Sequence, residues 1–170
     1  MAAARRPSPK PYREDLAFVH DVGFGAFARE AAPGVLEILA AAGVRSGRVV
    51  DLGCGSGIWA ERLVERGYEV LGIDISEAMI RRARRRVPEA QFRIGSLFRA
   101  EIPRCAAVTA LGECISYRFE PGRGGHVLPR LFRRVHAALA PGGVRSYGAL
   151  PLPRARAGFV ARKPGSKLAR

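Results

Sequence analysis

The residues with the clearest capacity for chemistry lie in a short glycine-rich segment. Asp51 opens it, and glycine follows at every second position as Gly53, Gly55 and Gly57. Glycine adopts backbone torsions closed to other residues and lets a ligand approach the main chain without a Cβ in the way. After a predicted strand, this pattern is typical of a loop that binds a nucleotide-type cofactor, although a tight strand-to-helix turn also needs glycine for its geometry.

The spacing of these glycines distinguishes between classes of cofactor. A dinucleotide fingerprint has the form G-x-G-x-x-G, and counted from Gly53 its third glycine would fall on Ile58. A phosphate-binding P-loop needs G-K-[ST], which the segment lacks. A carboxylate at the entrance of the loop disfavours a pyrophosphate and favours a ligand that carries an ammonium group and no phosphate.

A second acidic residue, Asp74, ends the next predicted strand. A carboxylate there can accept two hydrogen bonds from the 2′- and 3′-hydroxyls of a ribose, as the equivalent acidic residue does in dinucleotide sites. The alternative is an aspartate that caps the following helix, a role that Ser76 can fill. Together with the glycine loop, Asp74 favours a nucleoside-binding site.

Alternating strands and helices must position these residues. Short apolar or β-branched runs predict strands over 48–52, 68–74, 91–94 and 106–111. Apolar residues at helical spacing predict helices over 14–30 (interrupted near Gly23 and Gly25), 33–43, 58–66, 77–86 and 127–139, the last one burying Leu128, Leu131, Phe132, Val135 and Leu139. Parallel strands need long crossovers, and these are right-handed. The fold class is therefore α/β, a doubly wound, Rossmann-like, mostly parallel sheet with helices on both faces and incomplete C-terminal strands.

Composition limits the class of protein. The chain has 170 residues, 48% of them hydrophobic, which suits one domain with an apolar core. No run reaches the roughly 18 apolar residues of a membrane span, and the basic start has no apolar stretch behind it to serve as a secretory signal. Cys54, Cys105 and Cys114 suit neither a disulfide framework nor a zinc site. We therefore expect a cytoplasmic protein with reduced thiols, without membrane association or a metal.

Four segments together resemble the class I S-adenosylmethionine-dependent methyltransferases of the small-molecule type. They are VVDLGCGSGIWA, VLGIDIS, FRIGSLF and LFRRVHAALAPGG, and they extend over residues 49–143. The resemblance implies an S-adenosylmethionine-binding methyltransferase domain over residues 14–144. It implies an enzyme that transfers a methyl group from this cofactor to a small-molecule acceptor, which the sequence does not identify.

The resemblance also implies which residues contact the cofactor. The methionine part would lie on the loop residues Asp51, Gly53, Cys54, Gly55 and Gly57, and the ribose on Asp74. The adenine would lie between Ile75 and Met79, near Ser96 and Leu97, where the family often has Asp or Asn on the adenine amino group. Leu111, after the fourth strand, would face the sulfonium.

Candidate catalytic residues follow from the chemistry of methyl transfer. The main requirement is to hold the acceptor in line with the methyl group, but an acceptor with a dissociable proton also needs a base. The candidates are His20, Asp21 and Glu113, the first two in a segment that resembles the N-terminal helical cover of many such enzymes. The alternatives are a helix cap or surface pair for His20 and Asp21, and a loop carboxylate for Glu113.

The end of the chain departs from the family pattern. Residues 121–170 contain 11 of the 29 basic residues and no acidic residue, and prolines at 151 and 153 exclude a central strand. We expect residues 1–13 to be a flexible lead-in and residues 145–170 to be a disordered basic tail, the product of a truncated or out-of-frame ending. Incomplete strands leave a sheet edge exposed, so we expect a monomer or a weak homodimer.

Two alternatives to a methyltransferase stay open at this point. One is an NAD-dependent oxidoreductase of Rossmann type, which Ile58 disfavours. The other is a non-catalytic module that binds nucleic acid through the basic tail. Apart from that tail, we expect no nucleic-acid partner.

Overall fold

The sheet consists of short strands that the chain visits out of spatial order. The computed structural model describes residues 14–112, 114–115, 127–139 and 159–160. Within them the strands are β1 (Arg48–Leu52), β2 (Glu69–Asp74), β3 (Gln91–Ile94), β4 (Ala107–Ala110) and β5 (Phe159–Val160). They lie in the order β3-β2-β1-β4-β5, with β1 to β4 parallel and β5 antiparallel to β4. The predicted α/β class with a doubly wound, mostly parallel sheet is confirmed.

Four helices cover the two faces of this sheet. They are α1 (Glu14–Ala41), α2 (Ile58–Glu65), α3 (Glu77–Arg86) and α4 (Val127–Ala138). Val49 belongs to the apolar cluster beneath α1, α2 and α3, whereas Val50 belongs to the cluster beneath α4. Successive side chains of a strand point to opposite faces, so β1 is buried on both. Because β1 and β2 are parallel neighbours, their carboxyl ends meet at one edge of the sheet.

The predicted interruption of the first helix is wrong. Helix α1 is continuous over 28 residues and includes Gly23, Gly25 and Pro33. Proline removes only one helical hydrogen bond, and the apolar stripe on either side of it is buried against the sheet. At Gly25 a Cβ would lie 2.8 Å from the Cδ1 atom of Ile58. The glycine thus permits close packing of α1 on α2, and tertiary packing outweighs the local helix-breaking tendency.

The buried stripe of α4 begins later than predicted. Leu131, Val135 and Leu139 are buried as expected, but Leu128, in the first turn of the helix, is 42% exposed. Of the predicted basic tail, the structure describes only Phe159–Val160, which pair with β4. The predicted lead-in and the rest of the tail lie outside the described residues. None of the described helices combines the length and the apolar character that crossing a bilayer requires.

The continuity of α1 predicts opposite behaviour for two neighbouring glycines. A Cβ at position 23 meets nothing within 4 Å, so Gly23→Ala should raise the free energy of unfolding by about 0.5–1 kcal/mol, the helical advantage of alanine. Gly25→Ala should lose this gain, because its Cβ meets buried Ile58. Urea unfolding of both variants measures the difference. A neutral or destabilising Gly23→Ala would contradict an unbroken helix.

Candidate functional site

The loop between β1 and α2 has the geometry that its glycines predict. Gly53, Gly55 and Gly57 all adopt positive φ, at 75°, 53° and 81°. A Cβ on Gly53 would lie 2.6 Å from the Cβ of Cys114, so only glycine fits there. Above Gly55, by contrast, a Cβ would meet nothing within 4 Å. The loop therefore leaves open space beside its exposed main chain, where a ligand can approach.

The Asp74 carboxylate binds this loop from the end of β2. Its Oδ2 accepts a hydrogen bond from the Gly55 N–H at 2.9 Å, and its Oδ1 accepts one from the Ser76 N–H at 2.8 Å. The Ser76 hydroxyl in turn accepts the Met79 N–H at 3.2 Å and caps α3, as predicted. A carboxylate has about four acceptor positions. Asp74 can therefore hold the loop and still accept the hydroxyls of a ribose.

Asp51 lies beneath the loop rather than on its surface. Its side chain is 2% exposed, and its Oδ1 accepts a hydrogen bond from the Thr109 hydroxyl at 2.9 Å. Thr109 accepts the Trp59 Nε1–H at 3.1 Å. The sequence did not predict this buried series of hydrogen bonds. The one residue that could have indicated it is the threonine within the apolar run of β4. Because its side chain is enclosed, Asp51 can act on a ligand above the loop only through its charge, when it is ionised.

The two aspartates make the site electronegative. Burial raises the pKa of Asp51 to about 7, against the Thr109 hydrogen bond, and the Asp74 charge raises it further. Burial also raises the pKa of Asp74, while the N–H groups of Ser76 and Gly55 and the charge of His20 act in the opposite direction. Such a potential favours a cationic ligand and opposes a diphosphate.

The thiols beside the loop are neutral. Burial, reinforced by the charges of both aspartates, raises the pKa of Cys114 to about 12 and that of Cys54 well above its ordinary value. A thiol is nucleophilic as the thiolate. Cys54 therefore serves as a small buried residue of the turn, and the three cysteines carry free thiols.

The residues predicted around the adenine are only partly brought to the loop. Leu97 approaches it, since its Cδ2 lies 3.9 Å from the position of a Cβ on Gly53. Ile75 is exposed at the end of β2, but Met79 is 2% exposed and packs with Ala17 and Ala78 under α1. Leu111 is partly buried against the main core cluster. Of these residues, Leu97 lies beside the loop, whereas Met79 belongs to the core under α1.

The loop that carries Ser96 and Leu97 is fixed by an arginine of α4. The Ser96 hydroxyl accepts the Phe98 N–H at 3.1 Å, and the Arg134 guanidinium donates to the carbonyl oxygens of Leu97, Phe98 and Ala100. Three converging acceptors compensate the partly buried cation. Sequence reasoning missed Arg134, because its partners lie more than thirty residues away along the chain.

The candidate catalytic residues occupy different surroundings. His20 is partly buried on α1, and its charge lowers the pKa of Asp74. The carboxylate of Asp21, the next residue, accepts hydrogen bonds from Arg86 and from the Ser56 hydroxyl. Glu113 lies outside the described residues. Of the described candidates, His20 is the one whose charge acts on Asp74.

These features define a class of protein: an α/β domain whose first glycine loop is joined to the carboxylate that ends the second strand, at the edge of the sheet where such folds bind ligands. Residues 49–143 match the model of a family described as a methyltransferase domain. This match covers more than half of the chain. The chain belongs to this methyltransferase family, as its motifs predicted.

Individual relatives agree with this assignment. Trans-aconitate 2-methyltransferase of Variovorax paradoxus (strain S110) is 40% identical over 99 residues, which cover 57% of this chain and 36% of that protein. Ubiquinone biosynthesis O-methyltransferase of Alkalilimnicola ehrlichii is 35% identical over 98 residues, covering 54% and 39%. The solved structure of SAM-bound CalS10, an amino pentose methyltransferase from Micromonospora echinaspora, has a TM-score of 0.64 at 26% identity, covering 74% of this chain and 53% of that one. The chain thus spans less than half the length of these two curated relatives.

The buried state of Asp51 predicts how stability depends on pH. Its pKa is raised to about 7 in the folded protein, so between about pH 4 and pH 7 the folded state holds a proton that the unfolded state has lost. This proton stabilises the fold at low pH, and the stabilisation is lost as the pH rises towards 7. Asp51→Asn removes this term, so between pH 5 and 7 the variant should gain on the order of 1–2 kcal/mol relative to wild type. Urea unfolding across this range checks it; parallel pH profiles would contradict it.

Proposed function

We propose that this chain binds S-adenosylmethionine and transfers its methyl group to a small-molecule acceptor. The observation that carries the proposal is the joining of the glycine loop to the strand-end carboxylate, with Gly55 N–H and Asp74 Oδ2 at 2.9 Å. In this proposal Asp74 is the ribose acceptor, and the contact would hold it beside the main chain of the loop. A sulfonium and an ammonium group complement the electronegative site, whereas a diphosphate does not.

The described residues fit the parts of this cofactor. Asp74 would accept the ribose hydroxyls, and the main chain at Gly53 and Gly55 would face the amino-acid part, above the charge of Asp51. Ile75 and Leu97 would flank the adenine, with Ser96 close to Leu97 in the following turn. When bound, the cofactor supplies the electrophilic methyl group. The protein then has to orient the acceptor and the cofactor relative to each other and to exclude water.

The roles of the other site residues are inferred from the resemblance to the family. Gly57 begins α2 with left-handed torsions, and Cys54 fills the turn between the glycines. Met79 would support the adenine side from beneath, and Leu111, which follows β4, would lie on the sulfonium side. His20 stays a candidate base, since its charge acts on Asp74, and Glu113 stays a prediction.

A small molecule is the class of acceptor that the relatives support. Their names refer to different small molecules or pathways, namely trans-aconitate, ubiquinone biosynthesis and an amino pentose. The acceptor of this chain is therefore proposed as a class and not as a compound. The alternatives of an NAD-dependent oxidoreductase and of a nucleic-acid-binding module gain no support from these relatives. A cytoplasmic location and a monomeric or weakly dimeric state stay predictions.

Calorimetric titration tests the proposal directly. S-adenosylhomocysteine, the product form of the cofactor, should bind to the wild-type protein, and NAD should not. Binding of NAD together with no affinity for S-adenosylhomocysteine would overturn the proposal.

Replacement of Asp74 tests the site at the level of one residue. Asp74→Ala should weaken the binding of S-adenosylhomocysteine at least about tenfold, because hydrogen bonds to a charged group are worth about 1.5–3 kcal/mol each. Glu69→Ala is the matched control: it removes a carboxylate from the other end of β2, where Glu69 pairs with Arg48 on the surface. The control should bind as wild type does, within about twofold. Equal affinities of the two variants would contradict the role of Asp74.

A further inference from the structure

The carboxylate of Asp21 joins three parts of the fold. Asp21 lies on α1, and both of its oxygens accept hydrogen bonds from the Arg86 guanidinium of α3 at 3.1 Å. The Ser56 hydroxyl of the glycine loop donates to its Oδ1. Arg82, one turn before Arg86, approaches its Oδ2 at 3.9 Å. The carboxylate thus links α1 to both α3 and the glycine loop.

Arg86 also binds Ser56 of the glycine loop directly, mainly at its main-chain carbonyl oxygen. Its Nη1 donates to the Ser56 carbonyl oxygen at 2.5 Å and contacts the Ser56 hydroxyl at 2.8 Å. Ser56 is buried, and it lies between Gly55, which donates to Asp74, and Gly57, which begins α2. A displacement of Ser56 would therefore move the Gly55 N–H away from the Asp74 carboxylate.

This ion pair is well shielded from solvent. The side chains of Asp21 and Arg86 are 15% and 20% exposed. Burial alone raises the pKa of Asp21, but the hydrogen bonds from Arg86 and Ser56 and the charges of Arg86 and Arg82 hold it below its ordinary value. A carboxylate engaged in this way is a weak proton acceptor. The arrangement argues against the role of a general base that the sequence suggested for Asp21.

We propose that Asp21 is a positioning residue: through Ser56 and Arg86 it holds the glycine loop in its cofactor-binding conformation and docks α1 beside it. The role rests on the proposed binding of S-adenosylmethionine. Because one carboxylate contacts both elements, docking of α1 and order of the loop are coupled, and each favours the other. Loss of Asp21 then lowers affinity for the cofactor without removing any contact to it.

A second ion pair between the same two helices supplies the control. Glu14 of α1 pairs with Arg81 of α3 in an exposed position, and within the described part of the chain neither residue contacts the glycine loop. Asp21→Asn and Glu14→Gln therefore remove the same charge from the same helix pair. Only the first change reaches Ser56. Comparing them separates positioning of the loop from general attachment of α1 to α3.

The test is calorimetric titration of both full-length variants with S-adenosylhomocysteine. Asp21→Asn should raise the dissociation constant about tenfold at unchanged stoichiometry, whereas Glu14→Gln should stay within about twofold of wild type. A role in folding alone would reduce the number of binding sites and leave the dissociation constant unchanged. Ser56→Ala keeps both charges and removes one hydroxyl, so it should weaken binding in the same direction, about threefold, and it decides the matter if Asp21→Asn does not fold.

The outcomes separate this role from the proposed function. Wild-type protein with no affinity for S-adenosylhomocysteine overturns the proposed function and this role with it. Wild-type binding that Asp21→Asn and Ser56→Ala both retain within about twofold overturns the role alone. Equal weakening by Asp21→Asn and Glu14→Gln also overturns it, because the effect would then come from attachment of α1 and not from the loop.

Discussion

A hydrogen bond from the Gly55 N–H to the Asp74 carboxylate ties the loop after β1 to the end of β2. The same carboxylate accepts the N–H of Ser76, the N-cap residue of α3, so one side chain fixes two neighbouring strand-to-helix junctions. Parallel strands bring their carboxyl ends to one edge, but they do not by themselves shape the loops there. The Asp74 carboxylate therefore fixes Gly55, beside which the loop leaves open space.

Much of this fold can be predicted from the sequence because it depends on interactions between residues that are close together in the chain. The bounds of β1, β3 and α3 agree with the predictions, because short β-branched runs, a serine cap and a following proline act within a few residues. The left-handed torsions of Gly53, Gly55 and Gly57 follow from the turn they form. The carboxylate at the end of β2 was likewise predicted from its distance to that loop.

Contacts between distant residues account for what the sequence did not reveal. Helix α1 continues through Pro33 because its flanking apolar residues are buried on the sheet. The partners of Asp21 lie 35 and 65 residues further along the chain, and those of Asp51 lie 58 residues away. Nothing in the spacing of residues predicts such pairs. The role of Asp21 therefore changes from candidate base to positioning residue once its neighbours are known.

The chain contains a single tryptophan, Trp59, and it lies at the end of the buried hydrogen-bonded chain that leads through Thr109 to Asp51. An indole is sensitive to the electric field in which it sits. Protonation of Asp51, two hydrogen bonds away, changes that field, and so does a cation bound above the loop. The intrinsic fluorescence of Trp59 thus reports the charge state of Asp51 and of a ligand at the loop, without an added label.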